Sequence, residues 1–360
     1  MGRYEVFIGS FLKTKDAAIL KCDFDSETGR LAERERLPIE RPSYLCLSED
    51  KNTLYCIRET AEIDGVYGGG VASVDVSGEK MRILSKQSTH AKGPSHLRVV
   101  GDRLIVSVYG EGAVTQFPLT EGGRIIQPAR SRVQLSGHGV DSERQAQPHP
   151  HYVAQTPDGG HIAVCDLGLD RVLMFPYSEK YGLCAEPDGV SAPGGTGPRH
   201  LLFSKDGRFM YVVTEMGSSV LVYEYLGNGR AALIQTASTL PADCEKRAEN
   251  VCAAIRWNPA RTEIAVSNRV HDSLAFFGVG ADGLLSYRGF VKTGLWPRDI
   301  EFSPDGRYIL AANQNSNTVD VYSYADGNGP AGERVRLLEG GGIRSEILPC
   351  CIVFGKKYPF

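Results

Sequence analysis

The stretch QPHPHYVAQTPDGGHIAVCD, beginning at Gln147, sets His149 and His151 before an apolar run and Asp166 after a second one, with a Pro-Asp-Gly turn between them. Antiparallel strands return the chain to its starting edge, so the two ends of such a hairpin meet. An imidazole near a carboxylate can accept a proton around neutral pH. Similar positions elsewhere carry Arg199 and His200 after Pro198, Glu215, Arg269, and Arg298 after Pro297. Guanidinium forks bind phosphate or carboxylate at two points, so converging arginines favour an anionic ligand. A positioned proton acceptor together with charge stabilisation at a developing oxyanion is enough to hydrolyse a reactive acyl compound.

The elements that must position these residues recur along the chain. Each copy has a lead residue, usually Pro, then an apolar-alternating strand, an Asp-Gly-like turn and a second strand. Copies begin at Pro42, Pro94, Pro150, Pro198, Cys252 and Pro297, and a truncated one, PCCIVF, begins at Pro349. Every complete hairpin is followed by another strand-like pair, as in SSVLVYEYLGNGRAALIQTAS from Ser218. Turns such as PDG, KDG and GNG supply the Gly and Asx residues that tight hairpins need. Four-stranded units of about 50 residues with almost no helical periodicity predict an all-β, seven-bladed β-propeller occupying residues 1–360 as one domain. The N-terminal segments YEVFIGSF, AILKCDFD and RLAERERLPI read as strands two to four of a last blade that the C-terminal strand completes, which removes the open sheet edge.

In such a blade the first strand is innermost and the second runs antiparallel beside it, so strand-one starts and strand-two exits share one axial mouth. The starts contribute Ser43, His96, His149, His151, Arg199, His200, Arg298 and Asp299, and the exits Glu59, Tyr109, Asp166, Glu215, Asn268, Arg269, His271 and Gln314. Singly, each has a plainer reading. Arg199, Arg269 and Arg298 could neutralise carboxylates between blades, and His96, His200 and His271 could be hydrogen-bonded fillers. Their collective placement favours a working site. The polar connections SGHGVDSERQAQPHP from Ser136 and PADCEKRAENVCA from Pro241 are long enough to wall it.

A formal net charge of -3 gives no global attraction to nucleic acid or anionic membrane, so neither partner is expected and any anion affinity is local. A monomer is the expected state. MGRYEVFIGSFLKTKD lacks a continuous apolar segment with a small-residue cleavage site, and no 18-residue apolar stretch occurs, so the cytoplasm is the expected compartment. The nine Cys show no C-x-x-C spacing, and the adjacent Cys350 and Cys351 should face opposite sides of a strand, so disulfides are not expected. No G-x-S-x-G elbow or phosphate-binding G-x-x-x-x-G-K-[ST] loop is present. His149 and His151 with Asp166 or Glu215 make a conceivable metal set, and Glu215, Asn268, Asn313 and Asp166 a conceivable calcium set. Neither is adopted, and no metal or cofactor is expected.

The blocks QPHPHYVAQTPDG, CDLGLDRV, GTGPRHLLFSKDGRFMYVVTE, SNRVHDSLAFF, GLWPRDIEFSPDGRYILAANQNSNTVDVY and PCCIVF resemble the lactonase family of seven-bladed propellers. That family contains propeller-type 6-phosphogluconolactonases and is similar to carboxy-cis,cis-muconate cyclase. The resemblance implies a metal-independent site with His151, Arg199, Glu215 and Arg269 as the catalytic set. His149, Arg298, His96, His200, Glu59, Asp166, His271 and Gln314 are the expected substrate-binding residues. The implied reaction opens an anionic sugar lactone, foremost 6-phospho-D-glucono-1,5-lactone of the pentose phosphate pathway. Glu215 or His151 would take a proton from water, Arg269 would steady the carbonyl oxygen, and Arg199 with Arg298 would hold the phosphate. Val108, Glu111 and Thr214 depart from the family's pattern. A non-phosphorylated aldonolactone or muconolactone as substrate, and a non-catalytic binding scaffold, remain the alternatives.

Overall fold

Asp-Gly turns recur because one hydrogen-bond scheme recurs. In the copies from Pro150, Pro198 and Pro297, the carboxylates of Asp158, Asp206 and Asp305 accept from the hydroxyls of Thr156, Ser204 and Ser303 (2.6, 2.5 and 2.6 Å) and from the N–H groups of Gly160, Arg208 and Arg307. Gly159, Gly207 and Gly306 adopt φ near +70° (71°, 72° and 71°), a region that a side chain disfavours. These turns close the first hairpin of each unit.

The computed structural model describes residues 2–127, 131–184, 186–245 and 247–358. Seven antiparallel sheets follow one another round an axis, and the inner strands of consecutive sheets lie side by side through the full circle. We number the blades from the first complete one. Their inner strands are Leu45–Leu47, Pro94–Val100, Pro150–Gln155, Pro198–Phe203, Cys252–Trp257 and Pro297–Phe302. In blade 7 the inner strand is the C-terminal Pro349–Tyr358, which pairs with Arg3–Ser10, followed outward by Ala18–Asp25 and Arg30–Pro38. The expected ring closure is thus present, with Ile8 opposite Ile352 and Val6 opposite Phe354. The outermost strands of blades 3 and 6 are each broken into two short pieces, and blade 1 carries an extra two-residue hairpin, Glu62–Ile63 with Val66–Tyr67.

Alternating strand residues face the two neighbouring blades, and the core is accordingly seven apolar layers, one at each blade interface. Ile352, 1% exposed, sits in the layer between blades 6 and 7 with Ile8, Leu310 and Val319. Ile352→Ala is expected to lower unfolding stability by about 2–5 kcal/mol, read as a shift of the urea midpoint. All nine cysteines are free thiols. Cys350 donates toward the Ser43 carbonyl oxygen, whereas Cys351 packs in the layer against blade 1. No helix among the described residues is long and apolar enough to cross a membrane.

Candidate active site

Strand register decides which side chains reach the axis. In blades 2, 3, 4 and 6 the lead Pro pairs with the last residue of strand two, and the ladder then skips one residue before resuming. The skipped residues are Ser95, His151, Arg199 and Arg298. Such bulges re-aim a side chain at a sheet rim. Across the seven copies the residue after the lead position is Ser43, Ser95, His151, Arg199, Ala253, Arg298 or Cys350, and all but Ala253 line one axial cavity, joined there by Tyr44, Glu59, His200 and Asp299.

Residues one further along form the cavity's floor. Tyr44, His96, Tyr152 and His200 pack ring against ring at tilted angles (49°, 43° and 36°), with centroids 4.2, 4.0 and 4.6 Å apart. His96 is committed to this floor, its Nδ1 accepting from the Val153 N–H at 3.2 Å. Asp299 is held by Arg256 at 2.7 Å and by the Ile352 N–H at 2.9 Å. Above the floor the cavity measures about 20 Å³, enough for one water. Three buried polar atoms on its lining residues have no hydrogen-bond partner: Ser43 Oγ, His151 Nδ1 and His200 Nδ1.

Glu215 and Arg269 stand one residue past their strand-two exits, their N–H groups bonded to the carbonyls of Gly197 and Val251. The Glu215 carboxylate accepts Arg199 Nε at 2.9 Å and pairs with Arg269 Nη2 at 2.8 Å on one oxygen, and with Arg144 Nη2 at 2.6 Å on the other. Burial alone would raise this carboxyl, but the arginines hold it well below the usual carboxylate range. Burial and the neighbouring Arg269 bring Arg199 down to about 9. Burial and Arg199 also keep His151 and His200 well below the ordinary imidazole value, and both are neutral at pH 7.

Arg199 commits Nη1 to the Ala253 carbonyl (2.6 Å) and lies 3.0 Å from His200 Nε2, and Arg269 donates to the Cys252 carbonyl (2.8 Å) and stacks over Trp296. Arg298 differs. It makes no ion pair among the described residues, and its guanidinium carbon lies 4.2 Å from the Phe11 ring centroid. Glu59 is paired with Arg41 at 3.2 Å. Asp299 and Glu59 being neutralised by Arg256 and Arg41, the mouth sets four guanidinium groups (Arg144, Arg199, Arg269 and Arg298) against the single carboxylate of Glu215. Local positive charge on a protein of net charge -3 makes this a place for an anion.

Arg144 was not among the expected residues. It projects from the connection beginning at Ser136, which was expected to wall the mouth. Gln145 orders that connection by accepting from the Val140 and Asp141 N–H groups and donating to the Leu167 carbonyl. The connection from Pro241 is tied by Asn250 to Asn268, and its Lys246 lies outside the described residues.

The remaining expected residues are placed variously. His149 is at the rim, its ring stacked on Tyr109 at 4.2 Å and its Nδ1 against the Tyr109 carbonyl. Asp166 points away from the cavity. It pairs with Pro150 in the ladder, one residue before the register of Glu215, and its Oδ1 accepts from the His149 and Leu169 N–H groups. His271 lies beyond the strand-two exit, bonded to Ser273 and packed edge-on against Phe290 of the blade's outer strand. Gln314 shares the register of Glu215 and Arg269 but opens a short 3-10 turn and does not line the cavity. Among the described residues no group of three or more His, Cys, Asp or Glu is placed to hold a metal.

A family model described as "Lactonase, 7-bladed beta-propeller" matches residues 5–343. The chain belongs to this lactonase family. The Bacillus subtilis 6-phosphogluconolactonase is 29% identical over 328 residues, covering 89% of this chain and 91% of its own. Among solved structures, a putative 6-phosphogluconolactonase from Bacteroides fragilis superposes with a TM-score of 0.89 at 26% identity, covering 99% of this chain and 98% of its own. The Pseudomonas aeruginosa periplasmic gluconolactonase gives a TM-score of 0.88 at 28% identity, with coverage of 98% and 99%. Lactonase relatives of this chain are therefore named for both a phosphorylated and an unphosphorylated sugar lactone.

Proposed function

We propose that this lactonase-family propeller hydrolyses an anionic sugar lactone at the axial mouth, with 6-phospho-D-glucono-1,5-lactone the leading substrate. One observation carries the reading: a cavity for a single water adjoins a neutral, buried imidazole, His151, beneath four guanidinium groups and one carboxylate. His151 is the proton acceptor for the attacking water. Glu215 is a poor base, because its lone pairs already accept from three arginines. Its work is to hold Arg199 and Arg269 in place. Arg298, which no carboxylate neutralises, meets the carbonyl oxygen as negative charge builds on it.

Hydrolysis of freshly generated 6-phosphogluconolactone, measured in a pH-stat against its spontaneous rate, tests the activity. Wild-type protein should exceed that background many-fold. Arg298→Ala should lower kcat/KM by roughly tenfold to a hundredfold, the worth of one charge-assisted hydrogen bond. A wild-type rate equal to background would remove the enzymatic reading and favour a binding scaffold.

A further inference from the structure

The axial cavity is too small for a sugar phosphate, but it has a larger neighbour. A groove of about 520 Å³ runs along the same face between blades 7, 1 and 2, lined by Lys13, Lys15, Arg41, Glu40, Glu59 and Lys92 among others. Four inter-strand connections build it: residues 11–17 after strand two of blade 7, residues 39–44 leading into blade 1, residues 59–61 after strand two of blade 1, and residues 89–93 leading into blade 2. All belong to the mouth face, since strand-two exits and blade-to-blade connections both lie there.

Charge in the groove is one-sided. Glu40 is paired with Arg58 and Glu59 with Arg41, which leaves Lys13, Lys15 and Lys92 with no ion pair among the described residues. All three lysines are exposed. The groove also communicates with the axial site. Glu59 lines both spaces, and the Phe11 ring carries Arg41 of the groove at 4.4 Å and Arg298 of the cavity at 4.2 Å. The two guanidinium groups are therefore separated by no more than the thickness of one phenyl ring and its contacts, a span that a six-carbon sugar can cover. The volume falls within the range of small-ligand pockets, about 300–1,000 Å³.

We infer that this groove is the phosphate subsite: with the lactone ring over His151 and Arg298, the distal phosphate reaches across Phe11 to Lys13, Lys15 and Lys92. The inference rests on the lactonase reading for catalysis, but the groove's preference for a phosphate monoester can be read without turnover. The proposed selective charges sit on connecting segments rather than on the blades. Loops vary most freely.

The test uses full-length Lys13→Gln, Lys15→Gln and Lys92→Gln, singly and together, which replace exposed side chains. Isothermal titration with 6-phosphogluconate and with gluconate reads binding, and hydrolysis of the two corresponding lactones reads turnover. The triple variant should lose roughly tenfold to a hundredfold in affinity for 6-phosphogluconate relative to gluconate, the range of one or more lost charge-assisted hydrogen bonds. Its ratio of kcat/KM for phosphorylated over unphosphorylated lactone should fall likewise, through KM. Unchanged ratios in both measurements would overturn the subsite. Absence of turnover in the wild type would remove the lactonase reading, while the titration would still decide the groove.

Discussion

Glu215→Gln is expected to lower the free energy of unfolding by about 3–5 kcal/mol, the cost of removing one partner from a buried ion pair. The reason is the company this carboxylate keeps. Arg199 and Arg269 are each under a tenth exposed at the side chain, and Glu215 is the acidic partner of both. Without it two guanidinium charges remain in a desolvated mouth, facing each other and Arg298. Arg144, 42% exposed at the side chain, can turn to solvent and suffers less. Activity should fall with stability, because the arginines no longer hold their positions.

His151→Ala should behave in the opposite way. It removes a neutral ring whose Nδ1 has no partner, so the urea midpoint should move much less than in Glu215→Gln. Lactone hydrolysis should drop about 10²- to 10⁴-fold, the usual worth of a positioned general base. Urea unfolding and pH-stat rates on both variants separate the two roles. If Glu215→Gln unfolded within about 0.5 kcal/mol of wild type, as an ordinary surface substitution does, the view of Glu215 as the anchor of the arginine cluster would be wrong.

The fold was readable because its signals are local and recur in six complete copies and one truncated one. A lead Pro, an alternating strand and an Asp-Gly turn need no knowledge of distant contacts, and the split between N- and C-terminal strands follows from counting strands. The same repetition exposes His151, Arg199 and Arg298, each directly after a lead Pro. Strand parity is what the sequence conceals. Asp166 and Glu215 both look like the end of strand two, yet one residue of register turns a side chain from the axis into the blade, and the bulge after the lead Pro in blades such as 3 and 4 makes parity illegible from spacing alone. His271 was misplaced for a related reason: it lies past the exit, where the turn carries it outward to Phe290. Arg144 left no periodic signal, because it stands on an irregular connection whose shape is set by Gln145. The aromatic floor could have been found by aligning the copies, since Tyr44, His96, Tyr152 and His200 occupy the same column of the repeat.

The imidazoles in and beside that floor make the protein less stable in acid. His96, His151 and His200 are buried, and burial with the positive charges of Arg98, Arg199 and Arg256 around them holds all three well below the ordinary imidazole value. Above about pH 6.5 they are neutral in both folded and unfolded chains and contribute no slope. Below it the unfolded chain takes up protons at these three rings that the folded chain resists, so stability falls on acidification from this source. Asp166 works against them. Burial pushes its carboxyl up to about 7 although the N–H groups of His149, Leu169 and Gly168 act to lower it, so between roughly pH 4 and 7 the folded chain holds a proton that the unfolded chain has released. Its contribution is present at low pH and is lost as pH rises through about 7. Just below pH 6.5 the net expectation is a loss of stability on acidification, three imidazoles against the raised carboxyl of Asp166, with Glu301 and Asp320, also raised by burial, adding to the opposing side nearer their own ordinary values. Urea midpoints collected from pH 5 to 8 should show that slope, and Asp166→Asn should steepen it by one proton while being more stable than wild type at pH 8. A flat profile below pH 6.5 would mean that the imidazoles under the mouth accept protons in the folded state as they do in the unfolded chain.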